Sequence, residues 1–372
     1  MGCLIVYIYI IVFFFLALCS MLQVCLNERH KYLVVLLYLY FSVYLIAFAG
    51  LRGVGVGADD ANYLHMFHKI PNIIDWIYGD FTYNFNDVWM EPGYIVYGAI
   101  FKTFSEHAIA IFLPVAFLSL SIASYSYYKL SPIFFISLLL LFSHNYLYRD
   151  INQIRSAIVC ALGLILIINL HKDRFFLSFL IVIMAITFHM SAIVYFVAFV
   201  LNKIKYNKKF ILKAVLFSIF ISVTGIVSSL ISNLTFLGPI SVKLAGYTST
   251  EKYVDSVGLL DVTNVKNMFI FLLLYTQWDL LYRRYKIFPL LFVFFAFGAA
   301  WRIGFSELGI ISARIATLFT ITEVIILPMF ASVFKNKFLP TVMIIIYAFI
   351  MLYINLFVKE GRHPYFMSLG VL

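Results

Sequence analysis

Runs of apolar residues, each ended by a short polar or basic cluster, succeed one another along all 372 residues of this chain. Roughly 20 apolar residues in a helix rising about 1.5 Å each cover the hydrocarbon core of a bilayer. Inside that core each backbone N–H and C=O must be satisfied within its own segment, which leaves the α-helix as the solution for runs of this kind. The pattern predicts an all-α polytopic integral membrane protein. Composition agrees: 64% of residues are hydrophobic, 12% are charged and the mean hydropathy is +0.99, a balance that excludes a soluble fold. The whole chain, 1–372, reads as one integral membrane domain.

Orientation is set by where the basic residues lie. Arg29 and Lys31, Lys129, Lys172 and Arg174, the segment Lys203 to Lys213, the segment Arg283 to Lys286, and Lys335 with Lys337 hold more than half of the Lys and Arg residues. By the positive-inside rule these six turns are cytoplasmic. The net charge of +10 is therefore topological; no patch has the extent that nucleic acid would need, and no nucleic-acid partner is expected. Spans are predicted at 3–25, 32–51, 107–128, 132–148, 152–170, a short pair at 175–188 and 190–202, 210–231, 265–282, 288–304, 311–333 and 339–358. That gives about twelve crossings with both termini outside. Segment 93–104 is too short to cross and reads as a re-entrant or half-buried helix. The first run lacks a basic leader region and has Leu where a lipoprotein cleavage site needs a small residue, so it is expected to remain as the first span. The cysteines, Cys3, Cys19, Cys25 and Cys160, lie in apolar runs without disulfide or metal spacing.

Two external loops result, 52–92 and 232–264. In the first, Tyr63, Phe67, Ile70 and Ile74 recur at helical spacing and predict an amphipathic helix lying on the membrane surface. His65 and His68 share a helix face but have no third ligand in register, and no metal site is expected.

The stretch RDINQIR, Arg149 to Arg155, joins two apolar runs. An Arg forced toward bilayer depth costs about 2.5–3.5 kcal/mol on insertion scales, so a pair there points to function or to partners that make it tolerable. A guanidinium is an always-charged planar fork that matches paired phosphate oxygens. With the predicted topology, Arg52, Asp59, Glu91, Arg149, Arg155, His189, Arg302, Glu307 and Arg314 all fall on the outer side. A pyrophosphate ester is already a good leaving group and needs cations more than a strong acid; Arg149, Arg155 and Arg314, with Arg52, are the candidates. An attacking sugar hydroxyl needs a base, for which His189, Asp59 and Glu91 are available, His189 being best placed at a hairpin tip. Each also has a structural reading. Arg155 can snorkel to the interface, His189 can break a helix against a backbone carbonyl, and Glu91 can serve the turn at Pro92-Gly93. Asp59 and Asp60 can be a solvated pair, and Arg314 can pair with Glu307 or Glu323.

The ordered set of Arg52 with GADDANY (57–63), EPGY (91–94), NQIRSAI (152–158), FHMSAIV (188–194) and a late Arg314 resembles the EpsG-like branch of Wzy-type polysaccharide repeat-unit polymerases. The resemblance covers most of the chain. It implies a GT-C-like membrane glycosyltransferase of the bacterial inner membrane that needs neither a metal nor another cofactor. Such an enzyme works on the periplasmic side and moves a growing glycan from undecaprenyl pyrophosphate onto the non-reducing end of a new lipid-linked unit. Its partners would be the lipid-linked oligosaccharide donor and acceptor, membrane lipid and a chain-length regulator protein, with Asn152, Gln153 and Tyr94 as sugar contacts. Two other classes stay open: a repeat-unit flippase or transporter, and an O-antigen ligase-type transferase. Charged residues gathered on one face, without matching halves, favour the polymerase over the transporter.

Overall fold

A computed structural model describes residues 2–26, 28–78, 90–227, 259–359 and 364–368. Among these residues the secondary structure is helical, apart from one isolated antiparallel bridge between Arg52 and Met367. Each predicted span contains a helix. Six helical stretches are long and apolar enough to cross a membrane: 7–25, 31–50, 109–130, 154–171, 311–332 and 338–358. The remaining apolar helices are shorter. The chain is a polytopic α-helical membrane protein. The second predicted loop, 232–264, lies outside the described residues up to position 258.

The chain divides into two compact units, one made of residues 1–193 with 327–372 and one of residues 194–326. In the first, α1 (Gly2–Cys25) and α2 (Lys31–Gly50) are followed by two short helices, α3 (Asp60–Lys69) and α4 (Ile73–Tyr78). Next come α5 (Pro92–Lys102), α6 (Ile109–Leu130), α7 (Phe134–Leu140), α8 (Ile154–His171) and α9 (Phe175–Phe188). Helix α8 packs on α6 and α9, and α6 packs in turn on α2. In α8, 78% of the residues are buried, against 33% in the span at 338–358, so α8 is the inner post of this unit and carries Arg155 in its first turn.

The predicted surface helix needs correcting. Tyr63 and Phe67 sit on α3, and both, with Ile70, are at most 5% exposed. Pro71 then ends the run, and Ile74 on α4 is 53% exposed. The apolar stripe is thus spent on protein: a Cβ on Gly98 of α5 would lie 3.1 Å from Ile70 and 3.8 Å from Phe67. A stripe this short can cover a bilayer or a neighbouring helix equally well, and periodicity alone does not distinguish them.

Two local departures from α-geometry flank the approach to Arg149. Residues Leu141–Tyr146 widen into a π turn just before it, and such turns loosen carbonyls from their usual donors. Asn355, itself in a π turn at Ile354–Val358, donates to the carbonyls of Ser143 at 2.7 Å and His144 at 3.4 Å. Beyond it, the tail returns over the end of α2. Gly53 N–H donates to Phe366 O at 2.8 Å, Ser368 N–H to Leu51 O at 3.0 Å and Tyr365 Oη–H to Phe48 O at 2.9 Å.

A short 3₁₀ turn (Met190–Phe196) spans the boundary, and the second unit continues with α10 (Val197–Ile204), then α11 (Lys208–Thr224), α12 (Val262–Thr276), α13 (Trp278–Arg284), α14 (Phe288–Gly304) and α15 (Gly309–Thr320). Helix α14 is the hub on which α10, α11, α12, α13 and α15 pack. Helix α16 (Glu323–Ser332) and α17 (Phe338–Tyr353) complete the chain.

Candidate functional site

Glu91 is the N-cap of α5, and Pro92 at the first helical position holds it in extended backbone, φ −69° and ψ 139°. Gly93 comes next because nothing larger fits: its Cβ would stand 2.4 Å from Thr187 Oγ1 and 2.8 Å from Thr187 O. That close approach brings the start of α5 against the end of α9, where His189 is the C-cap, also extended. Glu91, 3% exposed, receives three groups. Its Oε2 forms an ion pair with Arg155 Nη1. Its Oε1 accepts from Met190 N–H at 3.1 Å and lies 3.3 Å from His189 Nδ1. Ser191 N–H also lies 3.3 Å from Nδ1, and one nitrogen cannot accept from that amide while donating to the carboxylate. A charge-assisted bond to a buried carboxylate is the stronger, so the proton belongs on Nδ1 and the lone pair on Nε2. Arg155 is held in turn by aromatic rings, its Cζ 5.7 Å from the Tyr63 centroid and 5.9 Å from that of Tyr94. Tyr94 is fully buried, with a hydroxyl that has no hydrogen-bond partner among the described residues.

The turn before α8 carries the other half of RDINQIR. Arg149 is 2% exposed, donates from Nη1 to Gln153 Oε1 at 2.6 Å and lies 5.1 Å from the Tyr148 ring. Its Nε and Nη2 are buried and meet no acceptor among the described residues. Asn152 turns the other way: its Oδ1 accepts from Asp59 N–H at 2.9 Å and ties the first loop to this turn. Asp150 is buried and accepts from Ser119 Oγ at 2.8 Å. Burial raises its pKa to about 7, against weaker pulls downward from Ser119, Arg52 and Arg149.

Arg52 sits in a closed arrangement. It is fully buried, and Nη2 and Nε lie 2.8 and 3.3 Å from Asp60 Oδ1. Its Nη1 donates to Ala49 O at 2.5 Å and its Cζ lies 3.9 Å over the Phe112 ring. Asp60 also accepts from Gly57 N–H at 2.7 Å. Asp60 is therefore no solvated neighbour of Asp59 but the counterion of Arg52. This edge of the guanidinium is taken by the protein itself.

Arg314 belongs to the second unit, on α15, with a buried Nε that has no acceptor among the described residues. Of the two acids expected as its partners, Glu323 instead holds Lys266 Nζ at 2.7 Å, both side chains under 10% exposed. Arg302 pairs with Asp261 at 3.0 Å; burial pushes the Asp261 carboxyl up, but the Arg302 guanidinium and the backbone N–H groups of Thr263 and Asn264 together bring it below its ordinary range.

The candidates thus fall into groups. Glu91, Arg155 and His189 meet on one carboxylate with Tyr94 behind them; Arg149 with Gln153, and Asp59 with Asn152, frame the adjoining turn. Arg52 is closed on Asp60. Tyr63, which flanks Arg155, and Lys266, buried against Glu323, are residues that sequence reasoning left out of its charged set. Lys266 had a signal, since it and Glu323 are lone opposite charges in apolar runs. Chemically, the first group offers a base oriented by an acid beside a cation, and the second a buried guanidinium with donors to spare.

No solved structure matches the chain. Among characterised proteins it is similar to the amylovoran biosynthesis protein AmsC of Erwinia amylovora, with 25% identity over 316 residues, 84% of this chain and 83% of that one. The EpsG family matches residues 35–367, a range that takes in α3 with Asp60, Glu91, the turn at Arg149, His189 and Arg314, and on that extent the chain belongs to the EpsG family.

Proposed function

We propose that this protein is an exopolysaccharide repeat-unit polymerase of the bacterial inner membrane, a glycosyltransferase acting at the periplasmic face on glycans linked to undecaprenyl pyrophosphate. Membership of the EpsG family and the part that the similar AmsC plays in amylovoran biosynthesis support the class. The observation that carries the chemistry is the meeting of His189 and Arg155 on the two oxygens of buried Glu91. In the proposed step the hydroxyl oxygen of the incoming lipid-linked unit attacks the anomeric carbon of the donor glycan. His189 Nε2 takes the hydroxyl proton, and Glu91 steadies the imidazolium through Nδ1–H. The anomeric carbon–oxygen bond to the pyrophosphate breaks, and the bonding pair leaves on that oxygen. Arg155 and the Nε/Nη2 edge of Arg149 neutralise the departing charge. The growing chain is then one unit longer on its new carrier, and the old carrier leaves as the polyprenyl pyrophosphate.

Side chains supply all the positive charge in this step, so the rate is expected to survive EDTA unchanged. The test is reconstitution of the purified protein in vesicles with lipid-linked repeat units and no second enzyme. A ladder of products is expected, and His189→Ala slows it. Translocation of unlengthened units without a ladder would support a transporter instead and refute the polymerase.

A further inference from the structure

Beside the Glu91 cluster runs a groove of about 410 Å³ between α5 and α9, lined by Pro92, Gly93, Val96, Tyr97, Ile100, Thr187 and Phe188. The two hydroxyl protons along it are already spoken for. Thr187 Oγ1–H donates to Met184 O at 2.7 Å, and Tyr97 Oη–H donates to Pro114 O at 2.7 Å. A sugar, a headgroup or a peptide strand would therefore lose its hydrogen bonds to water or lipid headgroups and find no side-chain donor in return. Hydrocarbon loses nothing there. The walls continue outward as apolar surface, Val96 being 42% and Ile100 40% exposed. One end of the groove lies beside the polar cluster: Pro92 is bonded to Glu91 and Phe188 to His189, with Arg155 on the far oxygen of Glu91.

A ligand that satisfies both ends is an amphiphile with an anionic head and a hydrocarbon tail. We propose that this groove seats the head-proximal isoprene units of the polyprenyl pyrophosphate, setting the direction from which its pyrophosphate meets Arg155. The inference rests on the lipid-pyrophosphate reading above and adds where the tail lies. The tail moves from bilayer hydrocarbon to an apolar wall, so the hydrophobic effect contributes little and the groove acts through fit and orientation. Gly93 fixes its geometry, because a side chain there would force α5 off Thr187.

The experiment uses the full-length protein in vesicles and a polyprenyl pyrophosphate with a photoreactive diazirine on its second isoprene unit, followed by peptide mapping of the label. Label concentrated on 92–100 and 187–188, removed by unmodified polyprenyl pyrophosphate but not by excess phospholipid or inorganic pyrophosphate, is the expected result. Val96→Trp, which fills the groove, lowers the label at 187–188 several-fold while circular dichroism shows the helices intact. Label spread evenly over bilayer-facing helices, or removed equally by phospholipid, would overturn the assignment, the second outcome meaning an ordinary acyl chain only. Since labelling needs no turnover, specific label without any product ladder would uphold the groove and sink the polymerase, and a ladder with diffuse label would do the reverse.

Discussion

Replacing Glu91 by Gln tests the site at the point where its groups converge. The carboxylate offers two acceptor oxygens in a place where its side chain is 4% exposed: one for Arg155, one for Met190 N–H and His189 Nδ1–H. A Gln side chain keeps one acceptor and substitutes an NH₂ for the other. If the NH₂ faces His189 it donates to Nδ1, the proton moves to Nε2, and the lone pair required of the base is lost. If it faces Arg155, a donor meets a guanidinium with almost no water to intervene. General-base assistance is worth roughly 10²–10⁴ in rate, and kcat should fall within that range. Breaking a buried ion pair costs about 3–5 kcal/mol; Arg155 is 19% exposed and Gln retains one bond, so the loss of stability should sit at or below the lower end. The assay is the initial rate of ladder formation in vesicles, with unfolding followed separately in detergent. Because Glu91 is argued to act on kcat through His189, the kcat losses of Glu91→Gln and His189→Ala should not multiply in full in the double variant. Parental kcat in Glu91→Gln, or kcat losses that multiply in full, would refute the coupling.

Three other perturbations have outcomes set by the same geometry. Arg52→Ala or Asp60→Ala alone should cost about 3–5 kcal/mol of stability, seen as a lower unfolding midpoint in detergent, and the double variant should recover part of it because no uncompensated charge stays buried. Gly93→Val should insert in the membrane normally yet lose ladder formation, since its Cβ would collide with Thr187 backbone and side chain and push the Glu91 cap away from His189; normal activity in that variant would mean the α5–α9 approach is not needed. Asp150 holds its proton up to about pH 7 in the folded protein, against 3.8 unperturbed, so between those values the folded state binds the proton that the unfolded state has lost. Stability from this group is therefore full below about pH 4, falls as pH rises toward 7 and is level above. Asp150→Asn should flatten that part of the midpoint-against-pH curve, and an unchanged slope would contradict it.

Much of the fold is legible because bilayer-length apolar runs leave the backbone one choice. The same reasoning marks 175–202 as too short for two full crossings, and the helix breaks there, at His189 and the 3₁₀ turn from Met190 to Phe196. What periodicity cannot supply is the identity of the neighbour. The stripe of Tyr63, Phe67 and Ile70 has the spacing of a surface-lying helix, and only the three-dimensional arrangement shows that α5 covers it. The tail is invisible for another reason. Five residues, 364–368, carry no repeat, and their hold on Gly53 and Leu51 runs through backbone groups that every residue type possesses.

For the site, residue type was informative and pairing was not. Arg52, Arg149 and Arg155 read alike in the sequence, as costly charges beside apolar runs. Their partners separate them. Eight residues after Arg52, and beyond a Gly-rich turn with Gly55 at φ 104°, Asp60 comes back to fill its Nε/Nη2 edge, so its charge is compensated within one loop. Arg155 finds its acid 64 positions away on α5, a distance at which a single sequence gives no register. Arg149 finds no acid for the same edge among the described residues, although it is 2% exposed. Leaving a charge there without acceptors is costly. An anion with two adjacent oxygens, as a pyrophosphate has, relieves that cost for Arg149 and could not do so for Arg52, which is why the proposed leaving-group contacts include the first and exclude the second.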